Sequence, residues 1–202
     1  WVKIAIRVDC TLMGKKIIIT GGLGYIGTEL CKIYSGFSWN DKIIVIDKRF
    51  ISERVNQLRN WNIEFIHGDI LDKVLIDKHC KDASIVHHLA GITQVPRVKS
   101  ESNQKSDELI QLVAEKGTQN ILDSISQNCK IIMPSTHVVY EGMNDVKKDI
   151  LEDEATSPIL SYAKSKDTNE KQLKNSGKNY VILRLGSVYG YSTDTMRMDI
   201  MP

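Results

Sequence analysis

The sequence predicts an α/β protein built on a doubly wound parallel sheet. Short runs rich in β-branched residues recur along the chain, stretches with helical spacing of apolar residues separate them, and a glycine cluster follows the first run. The runs show no alternation of polar and apolar residues, which is the pattern of strands covered by helices on both faces. With 202 residues, the chain has room for one such domain with a sizeable core.

Six runs are predicted as strands, and they cover residues 15–20, 42–47, 62–67, 84–90, 130–135 and 180–185. The segments between them place apolar residues on one side of a helix. One predicted face carries Ile26, Leu30 and Ile33, and another carries Leu109, Val113, Gly117 and Ile121. Strands that alternate with helices in this way pair in parallel through crossover connections.

The composition is that of a soluble globular protein, with 42% hydrophobic and 26% charged residues and a net charge of +2. No basic field indicates nucleic acid or a membrane surface as a partner, and no apolar run approaches the length of a transmembrane helix. The four cysteines, Cys10, Cys31, Cys80 and Cys129, are far apart, which suits neither a zinc site nor a disulfide framework. We therefore expect no metal and a reducing, cytoplasmic setting.

Residues 1–12 are expected to be a non-native or irregular extension, because Met13 directly precedes "GKKIIITGG" and looks like a natural start. An edge strand is the alternative for this segment. Charged residues interrupt its apolar ones, which makes it a poor signal peptide. The domain is accordingly predicted to cover residues 13–202.

The glycine cluster "TGGLGYIG" (20–27) lies between the first strand and the first helix. Gly22, Gly24 and Gly27 satisfy G-x-G-x-x-G, with Gly21 in addition. Such glycines serve a tight turn, a close approach of the backbone to a pyrophosphate and close packing of the helix on the strand. The turn therefore predicts a dinucleotide site, with Gly21, Gly24, Tyr25, Ile26 and Gly27 as candidate contacts.

Asp47 closes the second predicted strand, twenty residues after Gly27. A carboxylate at this place can accept hydrogen bonds from both adenosine ribose hydroxyls, and it would repel a 2′-phosphate, so NAD is favoured over NADP. Lys48 and Arg49 follow immediately and weaken that preference. A helix cap is the alternative role for Asp47.

The third predicted strand ends near Asp69, whose side chain could reach the adenine amine. A simple turn residue is the alternative for Asp69, and Ile70 beside it is a further candidate contact. In "SYAKSK", Tyr162 and Lys166 are four residues apart, which places them on one face of a helix. This spacing is common, and a solvated helix is the alternative to a reactive pair.

Eight motifs occur in order: "TGGLGYIG", Asp47, "GDI" (68–70), "HLAG" (88–91), "GTQNIL" (117–122), "PSTHVVYEG" (134–142), "SYAKSK" and "LRLGSVYG" (183–190). Together they resemble the extended short-chain dehydrogenases/reductases, the NAD-dependent nucleotide-sugar epimerase/dehydratase family with its UDP-glucose 4-epimerase-like members. The resemblance covers about residues 14–200.

The resemblance implies a Rossmann-type NAD-binding domain, with a C-terminal substrate domain absent or truncated in this chain. It adds Leu89, Ala90 and Gly91 to the NAD contacts and places Lys166 on the nicotinamide ribose. It also implies a homodimer formed through two helices, at about residues 103–127 and 158–175, and a nucleotide-sugar substrate.

In that family the tyrosine is the acid/base, which maps onto Tyr162. A free phenol has a pKa of about 10, and about 4 kcal/mol of preferential phenolate stabilisation would bring it near 7. A neighbouring ammonium and a bound NAD⁺ are suited to that task. The hydroxyl that shares the substrate oxygen maps onto Thr136, with Ser135 as the second candidate and a strand-end hydroxyl bonded to backbone as the alternative role.

The implied activity is epimerisation, by reversible hydride removal from a sugar hydroxyl carbon through a keto intermediate. Family dehydratases usually carry an acidic pair after the hydroxyl residue, where this chain has His137 and Val138, and this argues against 4,6-dehydration. Ala114 and Ser187 replace two asparagines of the family, the second of which contacts the substrate diphosphate. A nucleotide-sugar reductase or dehydrogenase and a non-catalytic NAD-binding module are the alternatives.

Overall fold

A computed structural model of the chain describes residues 14–37, 41–93, 103–144 and 149–190, so the predicted extension at 1–12 lies outside the described residues. Six strands form one sheet: β1 (Lys16–Thr20), β2 (Lys42–Asp47), β3 (Glu64–His67), β4 (Ile85–His88), β5 (Lys130–Thr136) and β6 (Asn179–Leu185). Their order is β3-β2-β1-β4-β5-β6, and every pairing is parallel. The strand order reverses between β1 and β4, where a crevice opens at the carboxyl ends of the strands.

The helices are α1 (Tyr25–Ser35), α2 (Ser52–Asn60), α3 (Lys73–Cys80), α4 (Gln104–Leu112), α5 (Thr118–Ser124) and α6 (Ser161–Asn175). A π-helical segment, Val113–Gly117, joins α4 to α5, and a 3₁₀ turn, His137–Tyr140, follows β5. Helices cover both faces of the sheet, so the predicted doubly wound architecture is confirmed.

Two apolar clusters occupy the two faces of the sheet. Ile17 and Ile19 of β1 pack in one cluster with residues of α1 and α2, whereas Ile18 packs in the other with residues of α3, α5 and α6. Successive residues of a strand point to opposite faces. Both faces of β1 are therefore buried, which explains why its sequence is continuously apolar.

The predicted apolar face of α1 is wrong for Ile26 and Ile33, whereas Leu30 is partly buried and packs against the core. The residues that α1 buries are Gly27, Thr28 and Cys31, whereas Ile26 and Ile33 are 37% and 55% exposed. The reason is close packing: a Cβ on Gly27 would lie 2.6 Å from the carbonyl oxygen of Gly21, so only the small face of the helix can approach the turn.

The predicted face through residues 109, 113, 117 and 121 is correct for its last three positions. Val113, Gly117 and Ile121 are buried, but Leu109 is exposed. The π-helical segment adds residues to its turn and changes the phase between α4 and α5. Leu109 therefore does not lie on the buried face that a regular α-helix would share among these four positions.

Candidate active site

A cleft of about 1040 Å³ lies at the carboxyl ends of the strands. All the residues predicted from the sequence as site residues line it: Gly21, Gly24, Tyr25, Ile26, Gly27, Asp47, Asp69, Ile70, Leu89, Ala90, Gly91, Ser135, Thr136, Tyr162, Lys166 and Ser187. The fold thus brings together residues at the carboxyl ends of all six strands with residues of α1 and α6. Their individual roles stay predictions.

The glycine turn fits tightly against its surroundings. Gly21 has a φ of +70°, and a Cβ on it would lie 2.7 Å from the backbone nitrogen of Ala90. Gly24 has a φ of −79°, and a Cβ there would lie 3.1 Å from the carbonyl oxygen of Gly21 and 3.5 Å from Nη2 of Arg49. The first glycine is therefore required by backbone conformation, whereas the second keeps space open at the cleft.

The amino end of α1 faces this space. Gly24 is the N-cap, no side chain caps the helix, and its first turn carries no acidic residue. The first amides of a helix have no partners within the helix, and with the helix dipole they attract anions. The turn and the helix together therefore fit the pyrophosphate of a dinucleotide.

Leu23, at the tip of the glycine turn, is fixed from two sides. Its backbone nitrogen donates to Oδ2 of Asp47 at 3.0 Å, and its carbonyl oxygen accepts from Nη1 of Arg54, a buried residue of α2. Sequence reasoning missed Arg54, because an arginine beside Val55 within a helix gives no signal of this contact. The shape of the turn thus depends on β2 and α2 as well as on its own glycines.

At the predicted adenosine end, Asp47 is buried and caps no helix. Its Oδ1 accepts from the backbone nitrogen of Arg49 at 2.9 Å, and the Arg49 side chain reaches both carboxylate oxygens, with 3.4 Å from Nε to Oδ1 and from Nη2 to Oδ2. The N-cap of α2 is Ile51, which rules out the helix-cap alternative for Asp47. The carboxylate is therefore positioned by the glycine turn and by Arg49.

Asp69 combines a turn role with a place on the cleft wall. Its Oδ1 accepts from the backbone nitrogen of Leu71 at 3.0 Å, and its Oδ2 lies 3.4 Å from Nζ of Lys48. Asn120 of α5 donates to the carbonyl oxygens of Ile70 and Leu71, at 3.0 and 3.2 Å. The loop after β3 is thus stabilised by the side chain of Asp69 inside the loop and by Asn120 of α5.

At the other end of the cleft, Tyr162 and Lys166 lie one turn apart on α6. Nζ of Lys166 donates to the carbonyl oxygen of Pro134 at 3.0 Å and is 6.0 Å from the centroid of the Tyr162 ring. Lys166 is only 8% exposed, and burial lowers its pKa to about 8. A buried ammonium at this distance favours ionisation of the phenol.

The two candidate hydroxyls at the end of β5 differ in their contacts. Ser135 donates to Oε1 of Glu170 at 2.6 Å, so its hydroxyl is held inside the protein. Oγ1 of Thr136 accepts from the backbone nitrogen of Val138 at 3.3 Å, and the described residues offer no acceptor for its hydroxyl hydrogen. This arrangement favours Thr136 over Ser135 as the group that meets a substrate.

Sequence reasoning also missed the buried carboxylate of Glu170, which is 1% exposed. Arg184 of β6 donates to it twice, from Nη2 to Oε2 at 2.6 Å and from Nε to Oε1 at 2.9 Å, and it also donates to the hydroxyl of Tyr140. Burial opposes ionisation, but the hydrogen bonds from Arg184 and Ser135 hold the pKa of Glu170 below its ordinary value. The sequence feature that could have identified Glu170 is its position four residues after Lys166, on the helix face that carries Tyr162 and Lys166.

A buried polar chain lies beneath the cleft. His88 contacts the hydroxyls of Thr20 and Thr118, each at 2.9 Å, and Asn169 of α6 donates to Thr118 at 2.8 Å. Burial, with a smaller contribution from the charge of Lys166, lowers the pKa of His88 to about 3. This neutral chain connects the helix that carries Tyr162 and Lys166 to the centre of the sheet.

Carboxylates are unevenly distributed along the cleft. Among the described residues that line it, only Asp47 and Asp69 are acidic, and both belong to the adenosine end. His137 is exposed, and its Nδ1 lies 3.2 Å from the carbonyl oxygen of Leu185. The described residues around Thr136 and Tyr162 therefore provide hydroxyls and an amine, without a carboxylate in the cleft wall.

Neither a membrane span nor a metal cluster is found in the described part of the chain. None of its helices is long and apolar enough to cross a bilayer. No three of its His, Cys, Asp and Glu side chains are grouped to hold a metal ion, and Cys31, Cys80 and Cys129 are free and buried.

A family model described as the 3-beta hydroxysteroid dehydrogenase/isomerase family matches residues 18–199. The CDP-paratose 2-epimerase of Salmonella typhi is 31% identical, and the match covers 87% of this chain and 58% of that protein. The dTDP-D-glucose 4,6-dehydratase of Dictyostelium discoideum is 28% identical, and the match covers 87% of this chain and 44% of that protein.

Among solved structures, a mutant UDP-glucuronic acid 4-epimerase from Bacillus cereus, in complex with UDP-4-deoxy-4-fluoro-glucuronic acid and NAD, matches with a TM-score of 0.73 and 26% identity. The match covers 88% of this chain and 58% of that one. The chain spans about half the length of the curated relatives it matches.

Proposed function

Since this chain belongs to the 3-beta hydroxysteroid dehydrogenase/isomerase family, within the extended short-chain dehydrogenases/reductases, we propose that it is the NAD-binding part of a nucleotide-sugar epimerase. Family membership confirms the resemblance that the eight motifs indicated. We take residues 13–202 as the NAD-binding domain of the protein. The substrate, the cofactor and the residue roles that follow are parts of the proposal.

The cofactor proposed for the cleft is NAD. The glycine turn and the uncapped amino end of α1 would hold its pyrophosphate, and Asp47 would accept hydrogen bonds from the adenosine ribose. Lys166, at the other end of the same cleft, would donate to the nicotinamide ribose. When bound, NAD supplies a hydride acceptor and donor.

The chemistry of the chain itself is proton transfer at Tyr162. The phenolate of Tyr162 is proposed to take the proton from a sugar hydroxyl as hydride leaves the same carbon, and the phenol so formed is proposed to return the proton to the keto oxygen when hydride comes back to the other face of that carbon. Lys166 stabilises the phenolate through its charge, and Thr136 donates to the same sugar oxygen. Ser187, which is exposed on the cleft wall after β6, is proposed to contact the nucleotide diphosphate.

The distribution of carboxylates favours epimerisation over dehydration. Elimination of water needs an acid and a base at the reacting carbons, and the described residues place the acidic side chains of the cleft at its adenosine end. Epimerisation needs a single acid/base, which Tyr162 can provide. A net reductase or dehydrogenase would use the same residues, and product analysis distinguishes it.

We further propose a homodimer formed through α4 and α6 in a cytoplasmic setting. Leu109 and Leu112 of α4 and Ile159 just before α6 are exposed apolar residues on the predicted pairing helices. Buried free cysteines support a reducing compartment.

The observation that carries the proposal is that Tyr162, Lys166 and Thr136 line the same cleft as the glycine turn and Asp47. The test is to incubate the complete protein with a panel of nucleotide-sugars, with and without added NAD. An epimeric product without accumulation of NADH supports the proposal. Stoichiometric NADH would indicate a dehydrogenase, a dehydrated product would indicate a dehydratase, and no conversion would favour the non-catalytic module.

A further inference from the structure

Among the described residues, the carboxyl end of β5 has a strand partner on one side only. Pairing with β4 runs from Lys130 to Ile132, whereas pairing with β6 continues to Thr136. We call residues 133–136 the overhang of β5. Pro134 lies within it and has no N–H group to donate to a neighbouring strand. On the side away from β6, the position of the overhang therefore depends on contacts with side chains.

Two side chains of α6, one helical turn apart, bind this overhang. Nζ of Lys166 donates to the carbonyl oxygen of Pro134 at 3.0 Å, and Oε1 of Glu170 accepts from the hydroxyl of Ser135 at 2.6 Å. Ser135 and Glu170 are only 3% and 1% exposed. A hydrogen bond to a charged acceptor is stronger than one between neutral groups. Consecutive residues of the overhang are thus fixed to consecutive turns of one helix.

Glu170 is itself fixed by a second strand. Arg184 donates to both of its carboxylate oxygens, at 2.6 and 2.9 Å, and Arg184 is the residue of β6 that lies opposite Ser135 in the sheet. The three side chains therefore join β5, β6 and α6. Because Arg184 keeps both hydrogen bonds to Glu170 without the serine, loss of the Ser135 hydroxyl would release the overhang and leave the carboxylate in place.

Thr136 directly follows Ser135 and is the proposed donor to the sugar oxygen. The described residues give its hydroxyl one hydrogen bond, which it accepts from the backbone nitrogen of Val138 at 3.3 Å. This distance is long for a hydrogen bond, so the contact does little to fix the hydroxyl. A displacement of about 1 Å at a reacting group can cost about a hundredfold in rate. The position of Thr136 therefore depends on how firmly its neighbour is held.

We propose that Ser135 is a positioning residue of the reaction. Its hydrogen bond to Glu170 fixes the overhang of β5, and with it the hydroxyl of Thr136, in the cleft that Tyr162 lines. The inference rests on the proposed function, because it concerns the step in which Thr136 donates to the sugar oxygen. It replaces the substrate contact for which Ser135 was the second candidate.

The test uses the complete protein and a nucleotide-sugar that it converts, and compares Ser135→Ala, Thr136→Ala and the double variant. Ser135→Ala is expected to lower kcat about tenfold and to change KM and the dissociation constant of NAD less than twofold. In the Thr136→Ala background, the same substitution should change kcat less than twofold, because the hydroxyl through which Ser135 acts is already absent.

The matched control is Thr156→Ala. Thr156 donates to Oδ1 of the buried Asp167 at 2.6 Å, which is a hydrogen bond of the same kind and length to the same helix, outside the cleft. Each substitution removes a hydroxyl from a carboxylate that keeps a cationic partner, Arg184 for Glu170 and Lys171 for Asp167. The two variants should show similar shifts of the urea midpoint, whereas only Ser135→Ala should lower kcat.

Three outcomes overturn the inference alone: parental kcat in Ser135→Ala, an equal loss of kcat in Thr156→Ala, or the same loss from Ser135→Ala with and without Thr136. A raised KM with unchanged kcat overturns it as well, since that result would give Ser135 a direct contact with bound substrate. If Ser135→Ala fails to bind NAD, Ser135→Cys, a similar shape with a weaker donor, is judged by the same criteria. Failure of the parent to convert any nucleotide-sugar is a different result, because it removes the proposed function together with this inference.

Discussion

The ammonium of Lys166 lies 6.0 Å from the centre of the Tyr162 ring, one turn along the same helix, and is fixed there by the carbonyl oxygen of Pro134. The relationship joins α6 to the carboxyl end of β5. It places a buried positive charge beside the ring of Tyr162, and both residues line the cleft. The first two predictions test this pair.

Tyr162→Phe should keep the fold and cofactor binding, because it removes only the hydroxyl and preserves the ring. Turnover by the complete protein should fall by about 10²–10⁴, the usual effect of losing a general acid/base. Tyr180→Phe, at an exposed tyrosine of β6 outside the cleft, is the matched control. Turnover of Tyr162→Phe at the parental rate would show that "SYAKSK" is a solvated helix without a catalytic role.

Lys166→Met should stabilise the protein at neutral pH. Burial lowers the pKa of Lys166 from 10.5 to about 8, so the folded state binds fewer protons than the unfolded state between these values. The cost of the buried charge is complete below pH 8 and disappears as the pH rises toward 10.5. The net gain at pH 7, after loss of the hydrogen bond to Pro134, should be about 1–2 kcal/mol.

Urea denaturation at pH 7 and pH 10 measures this difference, with the exposed Lys164→Met of the same helix as control. The gain in the free energy of unfolding of Lys166→Met over the parent should be smaller at pH 10 than at pH 7. A variant that is less stable than the parent by the same amount at both pH values would contradict the prediction. Dinucleotide affinity should also fall in Lys166→Met, since the proposed ribose contact is lost.

Gly24→Val should abolish dinucleotide binding without unfolding the protein. The backbone at Gly24 has a φ of −79°, which any residue adopts, and the added Cβ would lie 3.1 Å from the carbonyl oxygen of Gly21, a contact that a shift of a few tenths of an ångström relieves. The rest of the side chain would occupy the space proposed for the pyrophosphate. Calorimetry should show at least a hundredfold loss of affinity, whereas Gly36→Val, at the far end of α1, should bind normally. Parental affinity in Gly24→Val would remove the dinucleotide site from this turn.

Glu170→Gln should destabilise the fold by about 3 kcal/mol at pH 7, because it leaves the guanidinium of Arg184 without its carboxylate partner. The pKa of Glu170 is held below its ordinary value, so its stabilising effect is present above pH 4.5 and is lost as the pH falls. The difference between parent and variant should therefore shrink in acid.

Urea denaturation at pH 7 and pH 4 is the measurement for Glu170→Gln. Glu108→Gln, at an exposed residue of α4, should change the free energy of unfolding little at either pH. A small and pH-independent effect of Glu170→Gln would show that the network around Arg184 does not depend on the charge of Glu170.

Much of the fold and of the candidate site could be predicted, because the relevant signals are local. Strands β1, β2, β5 and β6 each contain an apolar run of three or more residues, and the parallel sheet follows from strands that alternate with helices. The glycine turn and the pair Tyr162 and Lys166 are recognisable by spacings of a few residues, and Asp47 by its place at the end of the second strand. The fold then brings all of them to one cleft.

Tertiary structure alone decided the contacts between distant segments. Ser135 and Arg184 meet at Glu170 because β5, β6 and α6 pack together, and no local pattern encodes that meeting. Ile26 faces the cleft because the close approach of Gly27 to the turn leaves only the small face of α1 for the sheet. Sequence spacing thus specified which chemical groups are present and roughly where they lie. Packing determined which hydroxyl is available, which carboxylate is neutralised and where each cation points, because these depend on contacts made only when the sheet is assembled.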